Sequence, residues 1–416
     1  MSKKDYSFER NSLVLFIMMM LSNICNYLFQ IIVGNLVQIE EYAQINTVLS
    51  LIAILTIPTS IITIICARYM AISSSDAAYS QVIRTLLIFS SIVVIIMMVF
   101  VLPLTNHIKA ILSLYSNGYI YGTLAVSIFT IFNAIFLGIL QGRGHFFEYG
   151  IENLIASVGK MCLSAVLVLL GMKVYGVIAA ILIGLFLAVA YGFSRTKSMI
   201  IPIFEMKEKN YIDKREFFKY SIGAVIAQGT VILLTNGDML LVKAFFQDRE
   251  AGLYSSAMVI GKIVMYVSTA VVATMFPAVA QRANMKQDTK ILLKKALLYG
   301  GGVAIICALL LVLMGKPLIG VFFGKKYLEA FSIVPSVCFY VVPLTFVTIL
   351  MNYLLALNKT KLFNTIMLLA VVTIVSVCFF FHRTLKTMIS TCGVILLFAL
   401  ILCIIIIWIK GENQHE

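Results

Sequence analysis

Long apolar runs separated by short polar connections cover most of the chain. Twelve such runs approach or exceed the roughly 20 residues that a helix needs to cross a bilayer. They lack the alternation over about ten residues that marks a barrel strand, so they predict helices whose backbone groups are satisfied internally. The predicted spans are 11–33, 43–66, 82–104, 118–140, 151–171, 174–193, 219–245, 252–275, 291–314, 331–355, 361–380 and 388–409. The pattern therefore predicts an all-α polytopic membrane protein with about twelve transmembrane helices.

Composition supports this interpretation and excludes an ordinary soluble enzyme. Hydrophobic residues make up 61% of the 416 positions and charged residues 12%, against roughly 45–50% and 25% in soluble domains. The eight cysteines all lie in apolar runs, without the paired spacing of a metal site or the density of a disulfide framework. We interpret them as small packing residues.

The longest polar stretch, 194–217, divides the predicted spans into six and six. It predicts a linker between an N-terminal bundle, 1–193, and a C-terminal bundle, 218–416. Because six is even, both halves enter the membrane in the same sense, which predicts parallel repeats related by an axis along the membrane normal. In transporters with such repeats the substrate site lies between the halves and access alternates.

A weak internal repeat accompanies this division. A shift of 212 positions places Asn26 on Asp238 and Tyr42 on Tyr254. Each pair falls at the same point of the first or second helix of its half. The hydropathy pattern therefore repeats between the two halves.

Lysine and arginine predict the orientation of the helices. With the N-terminus inside, about 22 of the 32 cationic residues fall in or near inner loops, and this bias places both termini and the linker in the cytoplasm. Three lysines in the connection between the ninth and tenth spans, Lys316, Lys325 and Lys326, run against it. The formal charge of +14 is explained by inner loops beside anionic membrane lipid, so we predict no nucleic-acid partner.

Charge is costly inside a membrane and commonly marks a pathway, and three charged residues stand out within the predicted spans. Asp238, the only carboxylate well inside a predicted span, and Lys262 differ in predicted depth by roughly 5 Å, so they could pair across neighbouring helices. Lys160 lies about nine residues into the fifth span, too deep for easy snorkelling. Two interpretations stay open, a structural ion pair that fixes register and a lining of cationic groups around a cavity.

Neutral polar residues also recur at helical spacing on the first and tenth spans. Offsets of three and four put each set on one face, where it serves either as interhelical glue or as a hydrophilic lining. The two sets are Asn23, Asn26 and Gln30, and Thr345, Thr348 and Asn352. Pro58 and Pro343 fall inside the second and tenth spans, and each is expected to kink its helix because proline removes a backbone donor.

Other chemistry has no support in the sequence. No phosphate-binding loop of the GxxxxGK[ST] type occurs, so the chain is not expected to hydrolyse nucleotide. The four histidines are scattered without ligand spacing, which argues against a zinc site. We expect no cofactor.

The stretch from Asn236 to Arg282 carries a family resemblance. It holds Asn236-Gly237-Asp238, then the run from Ala251 through Gly252-Leu253-Tyr254-Ser255-Ser256 to Ala257, and Phe276-Pro277 further on. This resembles the polysaccharide transporter family, the bacterial flippases for lipid-linked oligosaccharide repeat units, within the multidrug/oligosaccharidyl-lipid/polysaccharide exporter superfamily. The resemblance extends over most of the chain in span number, half-repeat and loop lengths.

The resemblance implies two six-helix bundles around a V-shaped central cavity. It also implies transfer of an undecaprenyl-diphosphate-linked oligosaccharide across the bacterial inner membrane, for O-antigen, capsule or exopolysaccharide, with a polysaccharide polymerase and a chain-length regulator as candidate partners. A diphosphate needs cations, and polar side chains could hydrogen-bond the sugar hydroxyls. The candidate substrate-binding residues are Lys160, Lys262, Asp238, Arg68, Arg143, Arg282, Asn23, Asn26, Gln30 and Asn352.

Two other functions compete with this one. A cation-coupled multidrug antiporter of the same superfamily would need intramembrane carboxylates, and among the predicted spans only Asp238 lies deep. A membrane polymerase or glycosyltransferase would need a large soluble loop, whereas the longest connection, 194–217, has about 24 residues. Both features favour the flippase, and we predict that the chain is not an enzyme.

Overall fold

The computed structural model describes residues 3–72, 76–200, 214–285, 287–357 and 359–412, and these form helices with no β-strand. The N-terminal helices are α1 Lys3–Leu36, α2 Ile39–Leu55, α3 Ile57–Ile72, α4 Asp76–Val101, α5 Thr105–Ile111, α6 Asn117–Gly142, α7 Phe146–Leu167 and α8 Lys173–Ile200. The C-terminal helices are α9 Lys214–Phe245, α10 Asp248–Asn284, α11 Lys290–Ala296, α12 Gly302–Phe322, α13 Val334–Ala356, α14 Lys361–Phe380 and α15 Leu385–Glu412. Shorter π-helical turns at Val168–Met172 and Leu297–Gly301 and a 3-10 helix at Lys325–Ile333 complete the set. The all-α prediction is confirmed.

The chain divides into two compact units, Met1–Ser221 and Ile222–Glu416. Both ends of the predicted linker are helical, because α8 continues to Ile200 and α9 begins at Lys214. The middle of the linker, 201–213, lies outside the described residues. The predicted bundle limits at 193 and 218 stay predictions.

The described residues contain nine helical segments long and apolar enough to cross a membrane, or ten if α2 and α3 count as one bent span. One of the nine, Phe146–Lys197, has 52 residues and includes both α7 and α8. At about 1.5 Å per residue it is more than twice as long as the roughly 30 Å hydrocarbon core. The eighth predicted span, 252–275, is not among the nine. The protein is therefore a multi-pass membrane protein, but the number twelve is not confirmed.

Apolar side chains also cover much of the outer surface of the helices. Leu313 and Val321 of α12 are 77% and 78% exposed, and Phe380 at the end of α14 is 81% exposed. Exposed apolar surface on this scale is unfavourable in water and suits lipid. The helices thus face a bilayer on one side and pack against each other on the other.

The two prolines predicted to kink their helices behave differently. Between α2 and α3 the chain bends by 42°, and Pro58 is the second residue of α3, where its missing N–H is tolerated. Pro343 lies inside α13, which continues through it from Val334 to Ala356. The kink at Pro58 is confirmed, whereas Pro343 does not break its helix.

A tight reversal connects α7 to α8. Gly171 has a φ of 86° and Lys173 a φ of 48°, conformations that glycine adopts readily and other residues rarely. The chain then returns so closely that a Cβ on Gly159 of α7 would lie 2.9 Å from the Cα of Gly184 of α8. Only glycine at both positions permits this backbone contact, which fixes the place of the neighbouring Lys160.

In the C-terminal unit, α9 is held by hydrogen bonds from two later helices. Tyr340 of α13 donates to the Leu234 carbonyl, and Asn364 Nδ2 of α14 donates to the Gly223 carbonyl at 3.0 Å. These side chains span 106 and 141 residues of sequence. Helix α9, which carries Asp238, is therefore fixed by long-range contacts.

Candidate functional site

A polar cluster joins α1 and α7 in the N-terminal unit. Lys160 Nζ donates a hydrogen bond to Asn26 Oδ1 and lies 4.7 Å from the centroid of the Phe29 ring. Asn26 Nδ2 donates in turn to Ser157 Oγ at 3.3 Å. The cluster combines two residues predicted as site residues, Lys160 and Asn26, with two that the sequence analysis did not single out.

The partners of Lys160 are neutral. None of the ion pairs within the described residues includes it, and its side chain is half-buried. An amide oxygen and an aromatic face both attract a cation, but neither cancels its charge. The arrangement holds an ammonium group in place and leaves its charge available to an anion.

The other polar residues predicted on α1 differ from Asn26. Gln30 Oε1 accepts a hydrogen bond from Tyr42 OH at 3.0 Å, so this side chain ties α1 to α2. Asn23 is exposed on α1. One face of α1 therefore holds two interhelical contacts, at Asn26 and Gln30, and one open position.

Arg68 and Arg143 lie at another level of the same unit. Gly142 packs against Ala67, since a Cβ there would lie 2.5 Å from the Ala67 carbonyl oxygen, which places both arginines at one end of α3 and α6. Arg143 donates to Tyr79 OH and stacks 4.5 Å from that ring. Lys160 follows the first residue of α7 by fourteen positions, about 21 Å. The two arginines thus do not join the Lys160 cluster.

In the C-terminal unit, Asp238 pairs with a tyrosine. Tyr254 OH of α10 donates to Asp238 Oδ2 of α9, and the next residues also meet, Ser255 Oγ lying 3.2 Å from Met239 Sδ. Asp238 is only 7% exposed. The sequence stretch that carries the family resemblance therefore builds the contact between the first two helices of this unit.

Asp238 and Lys262 do not form the direct ion pair that was one of the two open interpretations. No ion pair within 4.0 Å joins these two described residues, although each acts on the other electrostatically from farther away. The reason is register: Tyr254 lies level with Asp238, and Lys262 follows Tyr254 by eight residues, about 12 Å along α10. The prediction from span ends put the two charges too close in depth.

Three further predicted residues are distributed along the C-terminal helices. Lys262 and Arg282 are both half-buried on α10 and twenty residues apart, about 30 Å. Asn352 Nδ2 donates to the Thr348 carbonyl of its own helix at 2.8 Å. Thr345 and Thr348 likewise bond carbonyls within α13. The described bonds of this predicted stripe therefore stay within one helix.

The structure reveals a buried carboxylate that the sequence analysis missed. Glu152 of α7 is completely buried, and neither carboxyl oxygen has a hydrogen-bond partner. Glu152 is thus a second buried carboxylate besides Asp238. Glu152 stands second in the predicted fifth span, so its sequence position resembled that of a residue at a membrane surface. Among the described residues, no group of three or more histidine, cysteine or acidic side chains could hold a metal ion.

Solved transporter structures share this fold at low sequence identity. The lipid II flippase MurJ in an inward closed conformation has a TM-score of 0.67 at 17% identity, covering 94% of this chain and 87% of that one. An inward-facing multidrug resistance MATE transporter has a TM-score of 0.66 at 16% identity, covering 94% and 96%. A transporter from Pyrococcus furiosus Vc1, whose reverse pocket polarity is reported to suggest a different function, has a TM-score of 0.64 at 16% identity, covering 99% and 96%.

These helices therefore form a multi-pass membrane protein with the fold of MOP superfamily transporters. A model of the polysaccharide biosynthesis protein family matches residues 8–283, and the chain belongs to that family. Among curated proteins, none matches the chain in sequence. The predicted family resemblance is confirmed.

Proposed function

We propose that the protein is a flippase that moves an undecaprenyl-diphosphate-linked oligosaccharide across the bacterial inner membrane by alternating access. The proposal rests on the surroundings of Lys160. This lysine lies within α7, one arm of the α7–α8 hairpin, and its described partners are neutral. A diphosphate brings negative charge into the membrane and needs a cation to offset its lost hydration. Family membership supports a role in surface polysaccharide synthesis, as O-antigen, capsule or exopolysaccharide.

The cluster offers more than charge. Asn26 and Ser157 flank the ammonium group with an amide and a hydroxyl, which are the donors and acceptors that phosphate oxygens and sugar hydroxyls use. Lys262 is the proposed counterpart in the C-terminal unit, and Arg68, Arg143 and Arg282 stay candidates for earlier or later steps. A polysaccharide polymerase and a chain-length regulator are proposed partners, because a flipped repeat unit must be joined to others.

The proposed orientation places both termini and the linker in the cytoplasm. It rests on the bias of lysine and arginine towards alternate loops. A reporter that works only in the cytoplasm should therefore be active when it is fused after Lys410. Periplasmic activity at that position would reverse the topology.

A cation-coupled multidrug antiporter is the second candidate. Two buried carboxylates, Asp238 and Glu152, now support it, where the sequence analysis found one. The neutral surroundings of Lys160 favour the flippase, because a cationic drug would be repelled by an uncompensated ammonium group.

Expression in a bacterium that lacks its own repeat-unit flippase separates the two candidates. A flippase should restore surface polysaccharide, and Lys160→Gln should abolish the restoration at an equal membrane level. Resistance to cationic drugs without restored polysaccharide would contradict the flippase and support the antiporter. Several host strains with different glycans are needed, because the sugar specificity is unknown.

A further inference from the structure

Two cysteines meet near one end of the last helical hairpin, which α14 and α15 form. Cys378 Sγ of α14 and Cys392 Sγ of α15 lie 3.6 Å apart, and both residues are buried. A disulfide bond is about 2.05 Å long, so the sulfurs need to approach by about 1.6 Å, a distance within reach of side-chain rotation. The pair therefore has the proximity that a disulfide requires.

Contacts at both ends of this level hold the two sulfurs opposite each other. In the connection between the helices, the backbone N–H of Thr384 donates to Thr387 Oγ1, and the N–H of Thr387 donates to Thr384 Oγ1, each at 3.2 Å. These reciprocal bonds fix the start of α15 in the manner of a capping box. The residue after Cys392 packs on α13, since a Cβ on Gly393 would lie 2.7 Å from the Phe339 ring. Sliding of α15 past α14 would break these contacts.

A metal site fits this pair less well than a disulfide. Zinc bound by cysteine takes four ligands in structural sites. Within the described ranges, no group of three or more histidine, cysteine or acidic side chains could hold a metal ion. The nearby His382 directs its Nδ1 to the Cys378 carbonyl oxygen at 3.0 Å and stacks on the Phe245 ring. Two sulfurs alone are too few ligands.

The pair lies near one surface of the membrane. Cys378 precedes the last residue of α14 by two positions, about 3 Å, and Cys392 follows the first residue of α15 by seven, about 10 Å. The connection between the helices, 381–384, is exposed. The proposed orientation places the C-terminal end of α15 in the cytoplasm, so this connection faces the extracytoplasmic side. Disulfides form and persist in oxidising compartments such as the bacterial periplasm.

Burial decides when such a bond can form. Thiol–disulfide exchange needs access for the oxidant and a thiolate as the attacking group. Both are disfavoured in the folded unit, because the pair is buried and Cys392 lies close enough to the buried Asp238 to act on it electrostatically. Exchange therefore belongs to the stage before α15 packs against α13. The same burial then protects the finished bond from reductants.

We propose that Cys378 and Cys392 form a disulfide that joins α14 to α15 at the extracytoplasmic end of the C-terminal unit. The oxidant is the disulfide of a thiol–disulfide oxidoreductase. One cysteine thiolate attacks it to give a mixed disulfide, and the second cysteine thiolate then displaces the oxidant. Two electrons and the protons of the two cysteines pass to the oxidant, which leaves as a dithiol. The bond depends on the orientation given under the proposed function but not on the substrate, and for these two cysteines it replaces the interpretation as packing residues.

Trypsin tests the bond directly, because its cleavage sites Arg383 and Lys386 lie between the two cysteines. The protein is made in a Gram-negative bacterium, its free thiols are blocked with N-ethylmaleimide in denaturing detergent, and it is digested without reductant. Mass spectrometry should then find peptides 362–383 and 387–410 linked, and reduction should separate them. Separate peptides with both cysteines blocked in the unreduced wild type would overturn the proposal.

Serine variants identify the cysteines in the link. Peptide 387–410 also contains Cys403, which is buried on the same helix as Cys392. Cys403→Ser is therefore the matched control and should keep the link, whereas Cys378→Ser and Cys392→Ser should each abolish it. Because the digest is made from denatured protein, this result does not require the variants to fold well. A link that Cys403→Ser removes would contradict the proposed pairing.

Dithiothreitol tests the protection by burial, and the reporter after Lys410 separates the possible failures. Dithiothreitol present while the protein is made should prevent the link, whereas the same concentration added to the folded protein should leave it intact. Equal loss of the link in both cases would contradict protection by burial. A missing link with a cytoplasmic reporter would overturn the bond alone, and a periplasmic reporter would overturn the orientation with it. Restoration of surface polysaccharide tests the proposed function separately.

Discussion

The two units hold charges of opposite sign in different surroundings. Lys160 in the N-terminal unit is half-buried between an amide and an aromatic ring. Asp238 in the C-terminal unit is 7% exposed and accepts a hydrogen bond from Tyr254. The residues that correspond under the 212-position shift, Asn26 and Asp238, both sit on the first helix of their unit and both contact a later helix. In line with the proposed function, we propose that the half-buried Lys160 contacts the substrate and that the buried Asp238 positions helices.

Replacing Lys160 should have the largest effect. Lys160→Gln keeps length and removes charge, so we expect transport to fall by about tenfold or more, since each 1.4 kcal/mol of lost binding is a factor of ten. Lys160→Arg should retain part of the activity. Restoration of surface polysaccharide, normalised to membrane level, measures both, with the exposed Lys197→Gln as control. Normal transport by Lys160→Gln would contradict the proposal that the charge of Lys160 contacts the substrate.

The glycine contact that positions Lys160 should come next. In Gly159→Ala the new Cβ would press on Gly184, and overpacking of this kind costs about 1–3 kcal/mol. We expect a lower thermal midpoint in detergent and weaker transport. Gly237→Ala is the control, because nothing lies within 4 Å of a Cβ there. Equal thermal midpoints for the two variants would show that the contact between α7 and α8 accommodates an added methyl group.

Tyr254 tests the structural role assigned to Asp238. Tyr254→Phe removes the donor to a buried carboxylate, so we expect a loss of about 0.6–2 kcal/mol, between averages for membrane hydrogen bonds and for bonds to charged groups. The exposed Tyr299→Phe should leave the thermal midpoint unchanged. A stable Tyr254→Phe protein that has lost transport would instead indicate that Asp238 takes part in transport.

The smallest effect is expected from the coupling between Asp238 and Lys262. Because the two side chains do not meet, the effects of Asp238→Asn and Lys262→Gln on stability should add within about 0.5 kcal/mol. Thermal midpoints of the single and double variants close this cycle. If the double variant recovered stability, Asp238 and Lys262 would interact as a structural ion pair.

Length and periodicity were sufficient to predict the helices. Each of the twelve apolar runs falls in helical structure, apart from the break at Thr56 and the turn at 102–104, because a run of about 20 apolar residues has few alternatives in a bilayer. Pro58 also predicted the bend between α2 and α3 correctly. Proline is tolerated at the start of a helix, because the N–H that it lacks would have no partner within the helix there. Loss of a donor alone does not break a helix, and α13 therefore continues through Pro343.

The site was predicted only in part, because contacts between distant helices leave no local signal. Lys160 and Asn26 were each singled out, but 134 residues separate them and their spacing says nothing about which helices adjoin. The direct pair of Asp238 with Lys262, one of the two open interpretations, does not form, since distance from a predicted span end does not fix register. Glu152 was overlooked because an acidic residue near the start of an apolar run is typically solvated.

The separation of Asn26 and Phe29 from Lys160 also bears on how the chain enters the membrane. A lysine at the centre of an inserting helix costs about 2.5–3.5 kcal/mol. The ribosome makes α1 more than a hundred residues before α7, so the amide and the ring are already in the bilayer when Lys160 arrives. The tight Gly171 reversal then delivers α7 and α8 together. Biogenesis thus proceeds in an order in which the acceptor precedes the charge it stabilises.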